Sequence, residues 1–182
     1  NKTAYEIPLR LVGSEMCIRD RLTLRDAEHS DIDKIVRINE SAIPAVNYVS
    51  YNEFEWFLNR KLYFKIAENS HGAISGFLLV LPSGLDYKSL NYKWFSGRYE
   101  KFAYIDRIVI MDEFKKNGIG KSLYLDLEKN ISEYELIACE FNIEPPNLIS
   151  KKFHESLNYE NVGYQLTENE TKKVSLMIKK IL

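Results

Sequence analysis

The chain lacks the features that would place it in a membrane, on a polyanion or in an oxidising compartment. Its longest apolar run, "AISGFLLVL" ahead of Pro82, is about half of what a bilayer crossing needs and reads as a buried strand. Only two cysteines occur, Cys17 and Cys139, with no CxxC and no metal-ligand spacing, so neither a disulfide framework nor a metal site is expected. A reducing compartment, the cytoplasm, is the expected location. The net charge of -1 offers no basic surplus for a nucleic-acid or membrane surface. What the chain does have is 45% hydrophobic residues over 182 positions, enough for a sizeable core in one domain.

The N-terminal stretch needs separate treatment. Residues 12 to 21, "VGSEMCIRDR", resemble the translation of a sequencing-library transposon end, GAG ATG TGT ATA AGA GAC AG. The stretch has no apolar h-region of a secretory signal. Residues 1–21, with Met16 and Cys17, are expected to be a cloning or assembly scar, the alternative being a natural tail. The folded domain is then expected to span residues 22–182, with no internal repeat and no interdomain linker.

From Leu22 the pattern becomes regular. "LTLRDA" alternates like a short strand, and "HSDIDKIVRINES" sets Ile32, Ile35 and Val36 on one helical face, ended by Pro44. "SYNEFEWFL" opens with Ser50 and Glu53 at capping-box spacing and continues with apolar Phe54 and Phe57. "LYFKIAE" and "AISGFLLVL" form a strand hairpin across "NSHG". Residues 82 to 101 break the rhythm and read as a long loop, a functional lid whose aromatics argue against disorder. "FAYIDRIVIM" is a strand, "GIGKSLYLDLEKNI" a helix with Leu123, Leu127 and Ile131 on one side, and "YELIACEFNI" a further strand. "PPNLISKKFHESLN" is a helix carrying Phe153 and Leu157, followed by strands in "YENVGYQL" and "KKVSLMIKKI". This order predicts a mixed α/β (α+β) domain.

The stretch "FKKNGIGKSLY" carries the chemistry. A nucleotide P-loop would need glycine five positions before Gly120, where Lys115 stands, and a dinucleotide fingerprint would need glycine at Leu123. What remains is a strand, a short turn and Gly-x-Gly at a helix N-terminus. Amides from Asn117 through Gly118, Ile119, Gly120 and Lys121 to Ser122 are expected to converge on an anion, with charge added by Lys115, Lys116 and Lys121. The plainer reading of the same residues is a glycine-rich turn with solvated lysines.

"IVIMDEFKKNGIGKSLYLDLE" resembles the acetyl-CoA-binding signature of the GNAT superfamily of N-acetyltransferases: a hydrophobic strand, a turn, then [Q/R]-x-x-G-x-[G/A] opening a helix. Gly118 and Gly120 match, and Lys115 stands at the Gln/Arg position. "NLISKKFHESLNY" is similar to a second block of the family, N-x-x-A-x-x-[LF]-Y-x-x-x-G-[FY], matching at Asn147, Phe153 and Tyr159. Two departures stand out: His154 replaces the family's frequent tyrosine, often the acid that protonates the leaving thiolate, and Asn158 replaces glycine. Asn is the next best residue for a left-handed helix end. The stretch "CEFNIEPPNLISKKFHESLNYENVG" looks closest to a poorly characterised predicted-acetyltransferase branch.

The resemblance implies a central, mostly antiparallel, twisted sheet of six to seven strands, parallel splayed strands 4 and 5, and about four flanking helices. It implies acetyl-CoA as cosubstrate, with no metal. The acceptor would be a primary amine of a small molecule, peptide or protein, acting by direct attack in a ternary complex, in a monomer or homodimer. The alternative is a catalytically silent acyl-CoA-binding sensor or interaction module on the same fold. A lysine-like amine of pKa about 10.4 is only about one part in a few thousand neutral at pH 7, a handicap of roughly 4 to 5 kcal/mol, whereas a thiol of pKa about 8.5 leaves easily. A base therefore matters more than an acid.

The base candidates are Asp106 and Glu140, on strands expected to part at the site; each can equally be a salt-bridge partner or a solvated strand end. Counting alternate residues puts Asp106 on one face with Tyr104, Ile108 and Ile110. His154 is the acid candidate or a packing residue. Backbone of Ile108, Val109 and Ile110 would pair with pantetheine, and Asn147 would cap its helix and touch CoA. Tyr87, Tyr92, Trp94 and Tyr104, with the helix near Tyr48 to Trp56, would wall the acceptor pocket or simply pack the loop onto the sheet.

Overall fold

A computed structural model describes residues 22–167 and 171–181; residues 1–21, including the expected scar, lie outside the described residues. The first strand, β1, spans Thr23–Asp26 and is followed by helices α1 (Ile32–Ser41) and α2 (Tyr51–Arg60). Ile32, Ile35 and Ile38 are the buried stripe of α1, and Pro44 lies just beyond its end. The capping box forms as its spacing predicts: Ser50 accepts from the Glu53 amide, and the Glu53 carboxylate accepts from the Ser50 amide at 2.9 Å. Strands β2 (Tyr63–Glu68) and β3 (Ile74–Pro82) form the hairpin, and all of β3 except Pro82 is buried, as a strand covered on both faces requires.

The stretch read as a long loop contains a helix, α3 (Leu90–Ser96). Ser89 caps it by accepting from the Tyr92 amide, and Tyr92 and Phe95, three apart, are its buried face. With only seven residues it presents one apolar pair, too little for periodicity to reveal. Strand β4 (Phe102–Ile110), helix α4 (Ile119–Asn130), strand β5 (Leu136–Glu144), helix α5 (Leu148–Ser156) and strands β6 (Glu160–Leu166) and β7 (Lys173–Lys180) complete the order. Asn158 takes φ +63°, the left-handed geometry its place after α5 demands.

The sheet order is β1-β2-β3-β4-β5-β7-β6, antiparallel except where β4 meets β5. The parallel step needs a crossover, which α4 supplies. Helices α1, α2 and α3 cover one face, through residues such as Ile35, Phe54 and Phe95; α4 and α5 cover the other, through Leu123, Leu127 and Leu157. Among the described residues no helix is long and apolar enough to cross a membrane.

One irregularity governs the centre of the sheet. Leu79 pairs with Arg107 but Val80 pairs with Ile105, which leaves Asp106 as an extra residue in β4. Such a β-bulge shifts the alternation of side chains. Tyr104 and Val109 pack toward α1–α3, whereas Ile105, Ile108 and Ile110 pack toward α4 and α5. Counting by twos therefore fails here: Ile108 and Ile110 lie on the face opposite Tyr104.

At the bulge, Asp106 and Arg107 form a buried ion pair, Nε to Oδ2 at 2.7 Å. The Arg107 guanidinium also donates to Asn39 Oδ1 at 2.9 Å and Asn47 Oδ1 at 3.2 Å, and lies 5.8 Å from the ring centroids of Phe54 and Phe57. Tyr87 donates its hydroxyl to Asp106 Oδ1 at 2.6 Å. Replacing Arg107 with Met would leave a buried carboxylate without its counter-charge and should cost about 3 to 5 kcal/mol in urea unfolding at pH 7. A loss below about 1 kcal/mol would show that the pair does not hold the bulge.

Candidate active site

The parallel ladder between β4 and β5 is only three residues long: Phe102 with Leu136, Ala103 with Ile137, Tyr104 with Ala138. Beyond it β4 stays with β3 as far as Ile110, and β5 stays with β7 as far as Glu144. The two edges part, and a cavity of about 890 Å³ fills the gap. Tyr104–Ile108 and Cys139–Asn142 line its two sides; Tyr124 of α4 and Asn147, Ser150 and His154 of α5 line one end. Residues 45–49, Glu53, Trp56 and Tyr87 line the other.

The two base candidates meet this cavity in opposite electrostatic states. Both oxygens of Asp106 are taken, one by Tyr87 and one by Arg107. Among the described residues Glu140 has no cationic partner bonded to it. Its Oε1 accepts from the Tyr104 hydroxyl at 2.8 Å and from Asn91 Nδ2 at 2.9 Å. Its Oε2 is out of reach of solvent and has no hydrogen-bond partner among the described residues, although the residue as a whole is partly exposed at the cavity wall. Burial pushes the Glu140 carboxyl up to about 7, against the pull of the two donors.

His154 is buried and held at both nitrogens. Nδ1 lies 2.8 Å from the Ser150 carbonyl, so it carries the proton and donates; Nε2, 3.0 Å from the Tyr124 hydroxyl, is then the acceptor. This tautomer is assigned from the hydrogen-bond network. Burial holds the imidazole below its ordinary pKa, and the ring stacks on Phe141 at 5.6 Å. A neutral ring arranged this way has no free proton to give. The hydroxyl at the cavity belongs to Tyr124, a residue that sequence reading passed over because it falls within a helical apolar stripe.

At the α4 N-terminus Gly118 adopts φ +79° with open space around its Cα, as a left-handed turn requires. Lys116 is also left-handed, at φ +66°. The amides of Ile119, Gly120 and Lys121, in the first turn, have no helix carbonyl to bond. Ser122 differs from expectation: its amide donates to the Gly118 carbonyl and is not available. Lys115 pairs with Asp112, both exposed, while the exposed Lys116, Asn117 and Lys121 flank the turn. A Cβ on Gly120 would meet Phe153 at 3.4 Å and Ile108 at 3.6 Å, which places this helix end between α5 and β4. Asn147 caps α5, its Oδ1 accepting from the Ser150 amide at 3.0 Å.

Of the four aromatics expected around the pocket, Tyr87 and Tyr104 line the cavity. Tyr92 and Trp94 do not. Tyr92 donates to the Pro82 carbonyl and is buried under α3, and Trp94 packs against Gly163 of β6 with Arg98 over its ring at 3.8 Å. Both fasten α3 to the sheet.

The model of the acetyltransferase (GNAT) family matches residues 32–159, well over half of the chain. The chain belongs to the GNAT acetyltransferase family. Among its relatives, an N-alpha-acetyltransferase of Sulfolobus acidocaldarius is 28% identical over 140 residues, covering 76% of this chain and 80% of the relative. The fold is shared with the ribosomal-protein-S18-alanine N-acetyltransferase from Escherichia coli, at a TM-score of 0.67 and 15% identity over 88% of this chain and 94% of that one. It is shared also with Arabidopsis thaliana NAA60, solved in complex with acetyl-CoA, at a TM-score of 0.69 and 17% identity over 88% and 99%. This GNAT protein is accordingly an acyltransferase with the expected mixed fold, with five α-helices among the described residues where about four were expected.

Glu140 gives the GNAT domain a pH signature. Its folded pKa is raised above the ordinary value, so the folded state keeps a proton that the unfolded chain releases between pH 4.5 and 7. That stabilisation is complete below pH 4.5 and lost as pH rises through 7. Relative to Glu140→Gln, the parent should lose up to roughly 3 kcal/mol between pH 4.5 and 8 in urea unfolding. A difference that stays flat would mean an ordinary carboxyl.

Proposed function

We propose that the protein is an acetyl-CoA-dependent N-acetyltransferase in which Glu140 is the general base for direct attack by an acceptor amine. The observation that carries this reading is Glu140 on the wall of the cavity between the parting strands, its buried Oε2 without a hydrogen-bond partner among the described residues. A carboxyl near pH 7 is matched to the task of taking a proton at neutral pH. Asp106, tied to Arg107 and Tyr87, serves the bulge instead.

The residues fit the cosubstrate. The β5-facing edge of β4 past Tyr104 has no strand partner among the described residues, so backbone at Ile108, Val109 and Ile110 is free to pair with an extended pantetheine arm. The diphosphate would lie at the first-turn amides of Ile119, Gly120 and Lys121, with charge from Lys116 and Lys121. Bound there, acetyl-CoA supplies the acyl group as a thioester. Glu140 would take the amine proton as nitrogen bonds to the acyl carbon, and the carbon–sulfur bond breaks. The Tyr124 hydroxyl, turned from His154, would hydrogen-bond the departing thiolate, and burial keeps that phenol protonated. Tyr124 thus takes the role expected of His154, with His154 orienting it.

The base also speaks to the acceptor. Moving a proton from an α-ammonium of pKa about 7.7 to 8.0 to a carboxyl near 7 is uphill by about 1 unit, or about 1.4 kcal/mol; from lysine it is about 3.4 units, or about 4.6 kcal/mol. An N-terminal α-amine of a peptide or protein is therefore the favoured acceptor, in keeping with the similarity to an N-alpha-acetyltransferase.

Calorimetric titration should show acetyl-CoA binding, weakened about tenfold or more by Gly120→Asp, whose Cβ the site tolerates but whose charge opposes the diphosphate. No binding at hundreds of micromolar would end the proposal. With peptides bearing a free α-amine, thiol release should exceed that with Nα-blocked, lysine-containing peptides, and Glu140→Gln should reduce it by roughly 10² to 10⁴. Tight binding without thiol release for any amine would leave a silent acyl-CoA-binding module.

A further inference from the structure

Oε2 of Glu140 can stay free because Oε1 is held. Tyr104 and Asn91 both donate to Oε1, at 2.8 and 2.9 Å, and among the described residues they are the only donors to this carboxyl. Asn91 lies in the first turn of α3, and its own Oδ1 accepts from Gln165 Nε2 of β6 at 3.1 Å. Both ends of the Asn91 amide are therefore assigned. Turned over, its oxygen would face a carboxylate oxygen and its NH2 would face another NH2. The helix beneath it is immobilised as well: Tyr92 is bonded to Pro82, and Trp94 packs so closely on Gly163 that a Cβ there would come within 2.8 Å of the ring.

We propose that Asn91, oriented by Gln165, is a positioning residue for Glu140: with Tyr104 it anchors Oε1 and so leaves Oε2 unbonded for the proton of the acceptor amine. The proposal rests on the reading of Glu140 as base. Its consequence is both geometric and electrostatic, because a donor to a carboxylate favours the ionised form. The other ionisable groups near Glu140 are Asp106 and Arg107 of β4, Tyr87, Tyr124 of α4, His154 of α5 and Cys139 of its own strand. From β7 its strand partner is the apolar Leu176. Asp106 pushes the carboxyl up and Arg107 pulls it down, so with these two already opposed, the Asn91 bond is a principal control on where Glu140 titrates.

The test needs no acceptor. In the full chain labelled with ¹³C at glutamate carboxyls, the Glu140 resonance is the one missing from Glu140→Gln. Its midpoint should lie near 7 in the parent, rise by about one pH unit in Asn91→Leu, and rise by less in Gln165→Leu. The acid limb of kcat/KM with a peptide acceptor should move with it. An unmoved midpoint in Asn91→Leu would make Asn91 a prop for α3 and overturn the proposal. Should Asn91→Leu fail to fold, an unmoved midpoint in Gln165→Leu, a change at a partly exposed edge-strand residue, overturns it equally. A parent midpoint near 4.5 would instead overturn Glu140 as base, so the two failures are distinguishable.

Discussion

A single extra residue in β4, opposite the junction of Leu79 and Val80, reverses the facing of every side chain that follows it. The parallel ladder with β5 has ended just before, at Tyr104 and Ala138. The strands on either side, β3 and β7, hold β4 and β5 apart by full antiparallel pairing, so the gap is fixed by hydrogen bonds that do not cross it. Open strand edges are a liability in most sheets. Here the edge lies between two layers of helices, where it borders the cavity.

The bulge also decides how charge is distributed across that cavity. By turning Arg107 toward Asn39, Asn47 and the rings of Phe54 and Phe57, it gives Asp106 a buried counter-ion. Across the gap Glu140 receives two neutral donors and, among the described residues, no cation. Two carboxylates at one site are thereby given different surroundings, one tied into an ion pair and the other held by neutral donors alone. Perturbed groups of this kind concentrate at functional sites because they are costly elsewhere. The Tyr124–His154 pair follows the same principle: a phenol and an imidazole, both buried, satisfy one another at the cavity wall.

Much of this was legible in the sequence. The strands and the longer helices follow from runs of period two and 3.6, the α2 start from Ser50 and Glu53, the end of α5 from Asn158, and the turn that opens α4 from Gly118 and Gly120. Helix α3 was not, since Tyr92 and Phe95 are its only buried positions. The facing of Ile108 and Ile110 was missed because a bulge leaves no mark in a strand that alternates on both sides of it. Trp94 and Tyr92 were read as pocket residues because an aromatic cluster looks the same in sequence whether it lines a cavity or pins a helix.

Local order was written in the chain itself: the succession of elements, their caps and the glycine turn all arise from interactions among residues a few positions apart. The site was decided only by tertiary structure, because Asn91, Tyr104, Tyr124, Glu140 and His154 come from five elements and meet through packing. Whether a carboxylate there is paired or alone depends on which distant side chain reaches it. That is set by strand register, and register is a property of two segments at once.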